Sequence, residues 1–571
     1  MTSSGPNIFL ATPLSSKVLD APSSDNESLV VSGKYVTPPN LRTTPPMPMP
    51  SPVRSLPSWI SPSPLATPEI SVDRGALGRR YAVRGPTCHV LLLLIGSLLI
   101  LCRTARLKLI TWVTHRMTTD LLLVFPYFFD GRSKHWQFPP LGIGYIASYV
   151  RERGYNVKIL DCTFLSREEV RERIRRERAR VVGIYSMLSM VRTAKELAAE
   201  AKEVSELVIA GGPMPSAYPS MFLGAFDAVV QGEGEITVAE LMDAMDGRSE
   251  PKFHRVRGVW LASHLNGGRV EHTGARPLVR DLDALPFPAR DLYDHHLYQS
   301  YYRRNFGYTM TSMIASRGCP FSCDFCWRPD YGRVYRYRSP EKIAEEMEEI
   351  RYKWGYERIW FADELFIANK KHVLRLCEEI RKRGIDVGWE CLSRVDLFDA
   401  EVAKAMREAG CYRVIFGLES GDDYVLSNLM NKRITVAQSR AAVTYAKRAG
   451  LEVGAFFILG YPGETNETML KTIKLASSLP LDYFSMTIPY PLPGTGLYEK
   501  VKDRMETFEW EKPLHGYDHR LLFRHDFSLR KLRYGMWKAR FQWKARRKLG
   551  PLYILLKPYE LFTDWRFKRM S

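Results

Sequence analysis

Short apolar runs alternate with amphipathic stretches between residues 117 and 250. Residues 119–126 form a nearly continuous apolar run, as expected of a strand buried on both faces of a sheet. Further strands are predicted at 156–161, 180–186, 206–211 and 227–231. Helices are predicted at 140–153, 166–177 and 193–204, and another opens after Gly232. This alternation predicts a doubly wound parallel sheet of the Rossmann-like type over 117–250.

A second alternating series follows residues 251–304, which we interpret as a connector. Its predicted strands are 311–316, 358–364, 387–394, 412–419, 453–460 and 483–489. Its predicted helices are 339–354, 370–383, 399–409, 435–449 and 465–478. Six strands with five intervening helices predict a partial (β/α)6 TIM-type barrel over 305–500. The fold class is therefore α/β, followed by a basic, aromatic and helical tail at 501–571.

The first 116 residues lack this periodicity. Residues 1–86 are rich in Pro and Ser and predict a disordered segment. The apolar run at 90–101 is shorter than the roughly 20 residues that span a bilayer. We expect Met117, directly before the first strand, to be the true start, while a membrane anchor at 90–101 stays open as the alternative.

The charge of the chain is concentrated at its two ends. The net charge is +19, of which residues 1–116 contribute +7 and residues 520–571 contribute +12, leaving 117–519 neutral. A neutral folded middle excludes a protein that binds nucleic acid over its whole surface. The nine cysteines form no paired framework, which indicates a reducing compartment and a cytoplasmic location.

Three cysteines stand in a loop-like run rich in Gly and Pro. Cys319, Cys323 and Cys326 follow the spacing C-x3-C-x2-C. A set of thiolates at this spacing suits an iron–sulfur cluster, and three ligands would leave one iron of a 4Fe–4S cluster open for chemistry. Structural zinc is the alternative, but zinc needs a fourth ligand, for which His295, His296 and His372 are the nearest histidines.

Polar residues recur at the carboxyl ends of the predicted barrel strands, where barrels hold their active sites. They offer a carboxylate acceptor, an arginine that can clamp a carboxylate, a hydroxyl site and an apolar bed for a purine. Together these groups suit an amino acid joined to a nucleoside. The residues are Asp363, Glu364, Ser393, Arg394, Gly417, Glu419, Ser420 and Gly460.

The predicted Rossmann-like sheet has its own ligand edge. Ligands of such sheets lie at the carboxyl ends of the strands, which here carry Ser186, Gly211, Gly212 and Gly232. Paired glycines let a flat or bulky ligand approach the backbone.

These motifs resemble those of a known family. The cysteine spacing, with Phe325 before the last cysteine, resembles the signature of the radical S-adenosylmethionine (SAM) superfamily. Residues 117–250 resemble the cobalamin-binding domain that precedes many of its barrels. The pieces that match contain Pro140, Gly142, Gly211, Gly212, Gly232 and Glu233. The D-x-H-x-x-G signature of related methyltransferases is absent, because His135 has the wrong spacing from Asp130, and no histidine is assigned to cobalt.

The resemblance implies three cofactors: a 4Fe–4S cluster on the three cysteines, SAM and cobalamin. It places Phe325 and the barrel strand-end residues against SAM, and Pro140, Gly142, Ser186, Gly211, Gly212, Gly232 and Glu233 against cobalamin. It implies an enzyme that cleaves SAM and methylates an unactivated carbon. An oxidative cyclase without methyl transfer is the runner-up, and a metal-stabilised binding protein is a third interpretation.

The partners are less well defined by the sequence. We expect a small-molecule or lipid-like substrate and an electron donor such as flavodoxin or ferredoxin, but no nucleic acid. Basic and aromatic residues mix in the tail, around Trp537, Phe541 and Trp543. Two interpretations stay open for it: peripheral contact with a membrane surface or an acidic substrate, and a helix packed on the barrel with solvated Arg and Lys.

Overall fold

The computed structural model describes residues 119–131, 135–247, 253–505 and 522–570. The predictions for residues 1–116, including the disordered segment and the apolar run, lie outside these described residues.

The first half of the structure is the predicted doubly wound sheet. Its strands are β1 (Leu121–Phe125), β2 (Val157–Asp161), β3 (Val181–Tyr185), β4 (Leu207–Gly211) and β5 (Ala228–Val230). These five strands are parallel, in the order β2-β1-β3-β4-β5. Strands β1, β3, β4 and β5 are apolar along nearly their whole length because both faces of the sheet are covered, whereas the edge strand β2 exposes Lys158.

Helices cover both faces of this sheet. They are α1 (Leu141–Arg151), α2 (Arg167–Glu177), α3 (Val191–Lys202), the short α4 (Pro213–Ala217) and α5 (Pro219–Phe222), and α6 (Glu235–Met245). Ser166 begins α2 with a capping box, since its hydroxyl accepts from the Glu169 N–H while Glu169 reaches back. One apolar cluster packs α1 and α6 on one face, and another packs α2 and α3 on the other.

The predicted connector holds regular structure. Two short strands, β6 (Val259–Leu261) and β7 (Glu271–His272), extend the sheet by antiparallel pairing beyond β5. A helix, α7 (His295–Phe306), follows before the barrel. Its apolar periodicity is weak because only Tyr298 and Tyr302 are buried on it.

The second half is the partial barrel. Its strands are β8 (Met310–Met313), β11 (Arg358–Phe361), β12 (Gly388–Ser393), β13 (Cys411–Glu419), β14 (Glu452–Ile458) and β15 (Tyr483–Thr487). They are all parallel and lie side by side in chain order, as in the predicted partial (β/α)6 barrel. Two short strands, β9 (Ser316–Arg317) and β10 (Arg336–Tyr337), pair as a separate antiparallel ribbon.

The barrel helices fall where the sequence predicts them. They are α8 (Pro340–Glu348), α9 (Lys370–Arg383), α10 (Ala400–Glu408), α11 (Val436–Arg448) and α12 (Asn466–Ser478). A short helix that was not predicted, α13 (Gly496–Val501), follows β15. Polar side chains cap their first turns: Ser339, Asn369, Asp399, Thr435 and Thr465 each accept a backbone N–H near the helix start.

The tail consists of α14 (Leu529–Leu549), a 3-10 segment at Gly550–Leu556 and α15 (Lys557–Arg569). Leu532, Met536 and Ala539 of α14 belong to the apolar core of the barrel. The packed-helix interpretation is therefore correct for α14. Within the described part of the chain, no helix is both long and apolar enough to cross a membrane.

Candidate active site

The cysteine loop connects the two strands of the short ribbon. It leaves β9 at Gly318, and the N–H of Cys326 donates to the carbonyl of Cys323 at 3.1 Å. Arg328 closes the loop on itself, because its guanidinium donates to the carbonyls of Cys319, at 3.2 Å, and Phe321. The fold thus presents the three thiols from one compact turn.

The three thiols are close neighbours in a desolvated setting. Burial is the main cause that raises the pKa of the Cys326 thiol to about 12; the Cys323 and Cys319 thiols add to this effect, and Arg328 opposes it. Metal binding reverses this preference, since thiolates are the species that bind iron. No group of described His, Cys, Asp and Glu residues is placed to hold a single metal ion. Three neighbouring thiols in one compact turn suit a cluster, in which each cysteine binds a different iron.

Two of the three histidines named for a zinc site are engaged elsewhere, and the third, His296, is exposed on α7. His295 contacts the Tyr356 hydroxyl and the Arg290 carbonyl through its two ring nitrogens, each at 2.8 Å. His372 packs against the ring of Tyr337, with 4.3 Å between ring centroids. The other described cysteines of the barrel, Cys377, Cys391 and Cys411, lie in its apolar core. The structure therefore provides no fourth ligand from these residues.

Asp363 and Glu364 follow strand β11 and lie beside the cysteine loop. Asp363 is fully buried and accepts from the Ala315 N–H at 2.9 Å and the Ser316 hydroxyl at 2.6 Å. Glu364 accepts from the Gly318 N–H at 3.1 Å. Burial raises the pKa of both carboxyls to about 7. Asp363 thus fixes the backbone that leads into the loop, while Glu364 lies one step closer to the cysteines.

Arg394, at the end of β12, is directed at the cluster loop. Its guanidinium binds both oxygens of Asp396 at 2.9 and 3.0 Å and donates to the Lys432 carbonyl at 2.9 Å. Another N–H points at the Cys323 sulfur at 3.6 Å, and the plane lies 3.7 Å from the centroid of the Phe321 ring. The neighbouring Ser393 is buried and donates to the Arg394 carbonyl. Most N–H groups of the Arg394 guanidinium, which was predicted to clamp a carboxylate, are therefore already hydrogen-bonded within the protein.

A buried ion pair covers the end of β13. The Lys432 ammonium lies 2.8 Å from Glu419, and both side chains are buried. A Cβ on Gly417 would lie 2.4 Å from the Glu419 oxygen and 2.8 Å from the Lys432 nitrogen, so only glycine leaves room for the pair. Burial lowers the pKa of Lys432, but the negative charges of Glu419 and Cys323 outweigh this effect, so the pKa of the lysine is raised overall. Lys432 also lies 5.6 Å from the centroid of the Phe325 ring.

The last two predicted positions line the ends of β13 and β14. The Ser420 hydroxyl is buried and hydrogen bonds to Thr472 at 3.1 Å. The Gly460 N–H donates to Glu464 at 2.8 Å. Leu532 of α14 packs against Gly460, so the tail helix reaches this edge of the barrel.

The segment that brings Lys432 to the cysteines is not predicted from the sequence. Asn431 has a left-handed backbone, with φ +50°, and its amide donates to the Ser322 carbonyl at 3.0 Å. The Met430 carbonyl accepts from the Asp324 N–H at 3.0 Å. The available signal was the run Asn431-Lys432-Arg433 between two helical stretches, since asparagine is the residue that tolerates this conformation best after glycine.

The ligand edge of the first sheet contains a tight glycine turn. Gly212 has φ +104°, and a Cβ there would lie 2.8 Å from the Ser186 carbonyl and 2.9 Å from the Tyr185 ring. The Ser186 N–H donates to Gly211 at 2.8 Å, which ties the ends of β3 and β4 together. The turn leaves a bare backbone at the centre of this edge.

An apolar pocket opens beneath that turn, between the sheet and α1. Its lining includes Leu123, Ile143, Gly183, Tyr185 and Val230. Pro140 and Gly142 lie at the start of α1, where the Pro140 carbonyl accepts from the Tyr293 hydroxyl at 2.6 Å and Gly142 is buried. The bare glycine edge lets a large, flat ring system such as that of cobalamin approach the backbone closely, and the apolar pocket beneath it is small.

The residues after β5 connect this sheet to the cysteine loop. Glu233 and Glu235 both bind Arg317, at 3.0 and 2.7 Å, and Glu233 also binds Arg336 at 2.8 Å. All four side chains are buried. Gly232 lies beside the loop, since a Cβ there would be 3.9 Å from the Asp330 carbonyl. Glu233 was predicted to contact cobalamin, and the structure engages both of its oxygens within the protein, since the second accepts from the Val279 N–H at 2.7 Å.

Comparison with known proteins matches both halves. Residues 313–476 match the radical SAM superfamily, and residues 135–242 match the B12-binding domain. An uncharacterised methyltransferase of Pyrococcus horikoshii is 37% identical over 384 residues, covering 66% of this chain and 81% of the relative. The anaerobic magnesium-protoporphyrin IX monomethyl ester cyclase of Rubrivivax gelatinosus is 30% identical over 406 residues, covering 69% of this chain and 72% of the relative.

Solved structures share the fold. The radical SAM methyltransferase TsrM from Kitasatospora setae, solved with cobalamin and a [4Fe-4S] cluster, matches with a TM-score of 0.57 at 21% identity, covering 68% of this chain and 78% of that one. The cobalamin-dependent radical enzyme OxsB matches with a TM-score of 0.61 at 17% identity, covering 78% and 72%.

The two domains and the cysteine loop define an enzyme that uses a 4Fe–4S cluster, SAM and cobalamin. The chain belongs to the cobalamin-binding radical SAM superfamily, which confirms the resemblance, the fold and the three cofactors expected from the sequence.

Proposed function

We propose that this enzyme transfers a methyl group to an unactivated carbon of a small molecule. The observation that supports the proposal is the contact between its two ligand edges. The loop that contains the three cysteines is joined by buried ion pairs to the residues directly after β5 of the cobalamin-type sheet. A substrate between the edges would lie within reach of both cofactors.

The residue roles follow from this arrangement. Residues 117–250 hold cobalamin along the edge formed by Ser186, Gly211, Gly212 and Gly232, with Pro140 and Gly142 behind it. Residues 305–500 hold the cluster on Cys319, Cys323 and Cys326. SAM lies across the barrel strand ends, where the proposed contacts are Phe325, Asp363, Glu364, Ser393, Arg394, Gly417, Glu419, Ser420 and Gly460. Glu364 suits the amino group of SAM better than Asp363, whose oxygens hold the loop backbone.

When bound, the reduced cluster supplies the electron that cleaves SAM, and cobalamin supplies the methyl group. The chain itself positions these groups and excludes water. Trp327 contributes to this exclusion, because it follows the last cysteine, packs against the apolar cluster of the first domain and donates to the Pro493 carbonyl at 3.1 Å.

The first test is cluster formation. Cys323→Ala should lose most of the cluster, which is about four irons per chain in the reconstituted wild type, and should not cleave SAM. Cys377→Ala is the matched control, since that thiol lies in the barrel core, and it should keep both properties. Normal SAM cleavage in the Cys323 variant would show that the cluster is not held by these cysteines and would refute the proposal.

The stoichiometry of the products distinguishes methylation from cyclisation. Cyclisation is the second candidate because one relative of the chain, at 30% identity, is a cyclase. A methylase forms S-adenosylhomocysteine in proportion to product, and label from the S-methyl group appears in that product. Deoxyadenosine that accumulates with an unlabelled product would show that the enzyme is a cyclase. Omission of cobalamin should abolish product in the methylase case.

We also propose a small electron-transfer protein, such as flavodoxin or ferredoxin, as the reductant, and a cytoplasmic location. The supporting observation is that the seven cysteines among the described residues are all free thiols, which suits a reducing compartment. The substrate is a small molecule, either soluble or lipid-like.

A further inference from the structure

The end of the tail exposes an unusual amount of apolar surface. Of the fourteen large apolar side chains that are exposed among the described residues, eight lie between 549 and 565. They are Leu549, Leu552, Ile554, Leu555, Tyr559, Leu561, Phe562 and Trp565. We call this set the tail patch. Exposed apolar patches of this kind mark sites of interaction.

A helix on the surface of a soluble protein turns its polar face outward. Helix α15 shows the reverse pattern. Its inner side is largely polar: Lys538 of α14 binds the Thr563 hydroxyl and the Asp564 carboxylate, each at 2.7 Å. Phe562 and Trp565, by contrast, point outward with 52% and 51% of their surface exposed. The two rings stack at 5.9 Å between centroids and form one flat apolar face.

Positive charge surrounds the tail patch. Lys548, Lys557, Arg566, Lys568 and Arg569 are all exposed. Two of these charges are paired, Lys557 with Glu560 at 3.3 Å and Lys568 with Glu467 at 3.1 Å. Lys548, Arg566 and Arg569 form no ion pair with the described residues, since the other acid of the segment, Asp564, binds Lys538. Large apolar and aromatic side chains with a basic border are the composition of helices that lie in the interface of an anionic bilayer.

From these observations we infer that the tail patch docks the enzyme onto an anionic lipid surface, with α15 lying in the plane of the interface. Thirteen residues make α15 only about 20 Å long, which fits a helix that lies on a membrane. The inference does not depend on the reaction proposed above.

The contacts of α14 would couple the docked tail to the barrel. Arg547 donates to the carbonyls of Leu481 and Asp482 at 3.0 and 3.1 Å, and α14 is packed into the barrel core. The Lys531 ammonium binds the Met570 carbonyl at 2.8 Å, which fixes the end of α15 to the start of α14. Bound lipid would therefore orient the whole barrel.

The test is co-sedimentation of the full-length, cluster-reconstituted enzyme with vesicles. Wild type should bind vesicles that contain phosphatidylglycerol, bind those of phosphatidylcholine alone at least tenfold more weakly, and lose binding at high salt. A variant with Leu552→Ser, Ile554→Ser and Leu555→Ser should bind at least tenfold more weakly than wild type. Val270→Ser with Tyr424→Ser, which changes two apolar residues elsewhere that are also more than half exposed, is the control and should bind as wild type.

A second variant tests the charge without touching the arginines that hold the helices. Lys548→Gln with Arg569→Gln should weaken binding at low salt and have little effect at high salt. Retention of tight vesicle binding by the apolar variant would overturn the inference. So would a change in oligomeric state without a change in vesicle binding, because the patch would then be an interface between copies of the chain. Competition by free glycerol phosphate at vesicle-equivalent concentration would also overturn it, since it would indicate a simple anion site.

Discussion

At the scale of single residues, Arg394 has a different environment from the one its position in the sequence predicts. A strand-end arginine is well suited to clamp the carboxylate of a substrate. In the structure its guanidinium is held by Asp396 and the Lys432 carbonyl and directs an N–H at the sulfur of Cys323. The two functions have different consequences, because hydrogen bonds to cluster sulfurs set the reduction potential, whereas a carboxylate clamp sets the affinity for SAM.

We predict that Arg394→Gln lowers the midpoint potential of the cluster in the absence of SAM. Loss of a positive charge and a donor at Cys323 disfavours the more negative, reduced cluster. Arg394→Lys, which keeps the charge, should restore part of the shift. A redox titration followed by electron paramagnetic resonance measures this. If the potential is unchanged and only the dissociation constant for SAM rises, Arg394 is the clamp expected from the sequence.

At the scale of elements, the sequence predicted the parts whose local chemistry repeats along the chain. The central strands of the first domain, β1, β3 and β4, are apolar runs, and the barrel helices begin at polar caps such as Ser339 and Thr435. Helix α7 was missed because its buried side chains are two tyrosines among charged residues. Strands β6 and β7 lie in the segment expected to be a connector, and their pairing with β5 depends on distant residues.

The same limit applies to the candidate site. The cysteines, Asp363 and Gly417 are recognisable because each lies in a short motif at a strand end. Lys432 is not, since its partner Glu419 and its position at Cys323 result from the folding of a loop. For Glu233 the sequence predicts the strand end correctly, but its partner Arg317 is 84 residues away. Local patterns cannot show which charge a buried carboxylate will meet.

The turn after β4 provides a test at this scale. Gly212→Ala should weaken cobalamin binding at least tenfold, because the Cβ would collide with the Ser186 carbonyl and the backbone at φ +104° is unfavourable for alanine. Gly224→Ala is the control in the same domain, since no atom lies within 4 Å of its Cβ position. Absorbance titration with cobalamin measures both. Wild-type affinity in the Gly212 variant would exclude this edge as the binding site.

At the scale of the whole molecule, the two domains are joined through charge as well as apolar packing. Arg317 is 2% exposed, lies between the rings of Tyr145 and Tyr331, and binds carboxylates of the first domain directly before the cysteine loop. Buried ion pairs contribute little net stability compared with apolar residues, but they strongly disfavour any arrangement that leaves one charge unpaired. This network therefore favours a single relative placement of the cluster loop and the cobalamin edge.

We predict that Arg317→Gln reduces the free energy of unfolding by about 3–5 kcal/mol, the usual cost of leaving buried carboxylates without their partner. Because the lost contacts cross between domains, the single thermal transition expected of the wild type should split into two in calorimetry of the reconstituted enzyme. Arg180→Gln is the matched control: it removes a largely buried pair with Asp246, at 2.6 Å, that lies inside the first domain. That variant should lower stability and keep the two domains unfolding together. A single, unbroadened transition in the Arg317 variant would mean that apolar contacts alone couple the domains, and the ion pairs would then serve only to satisfy buried charge.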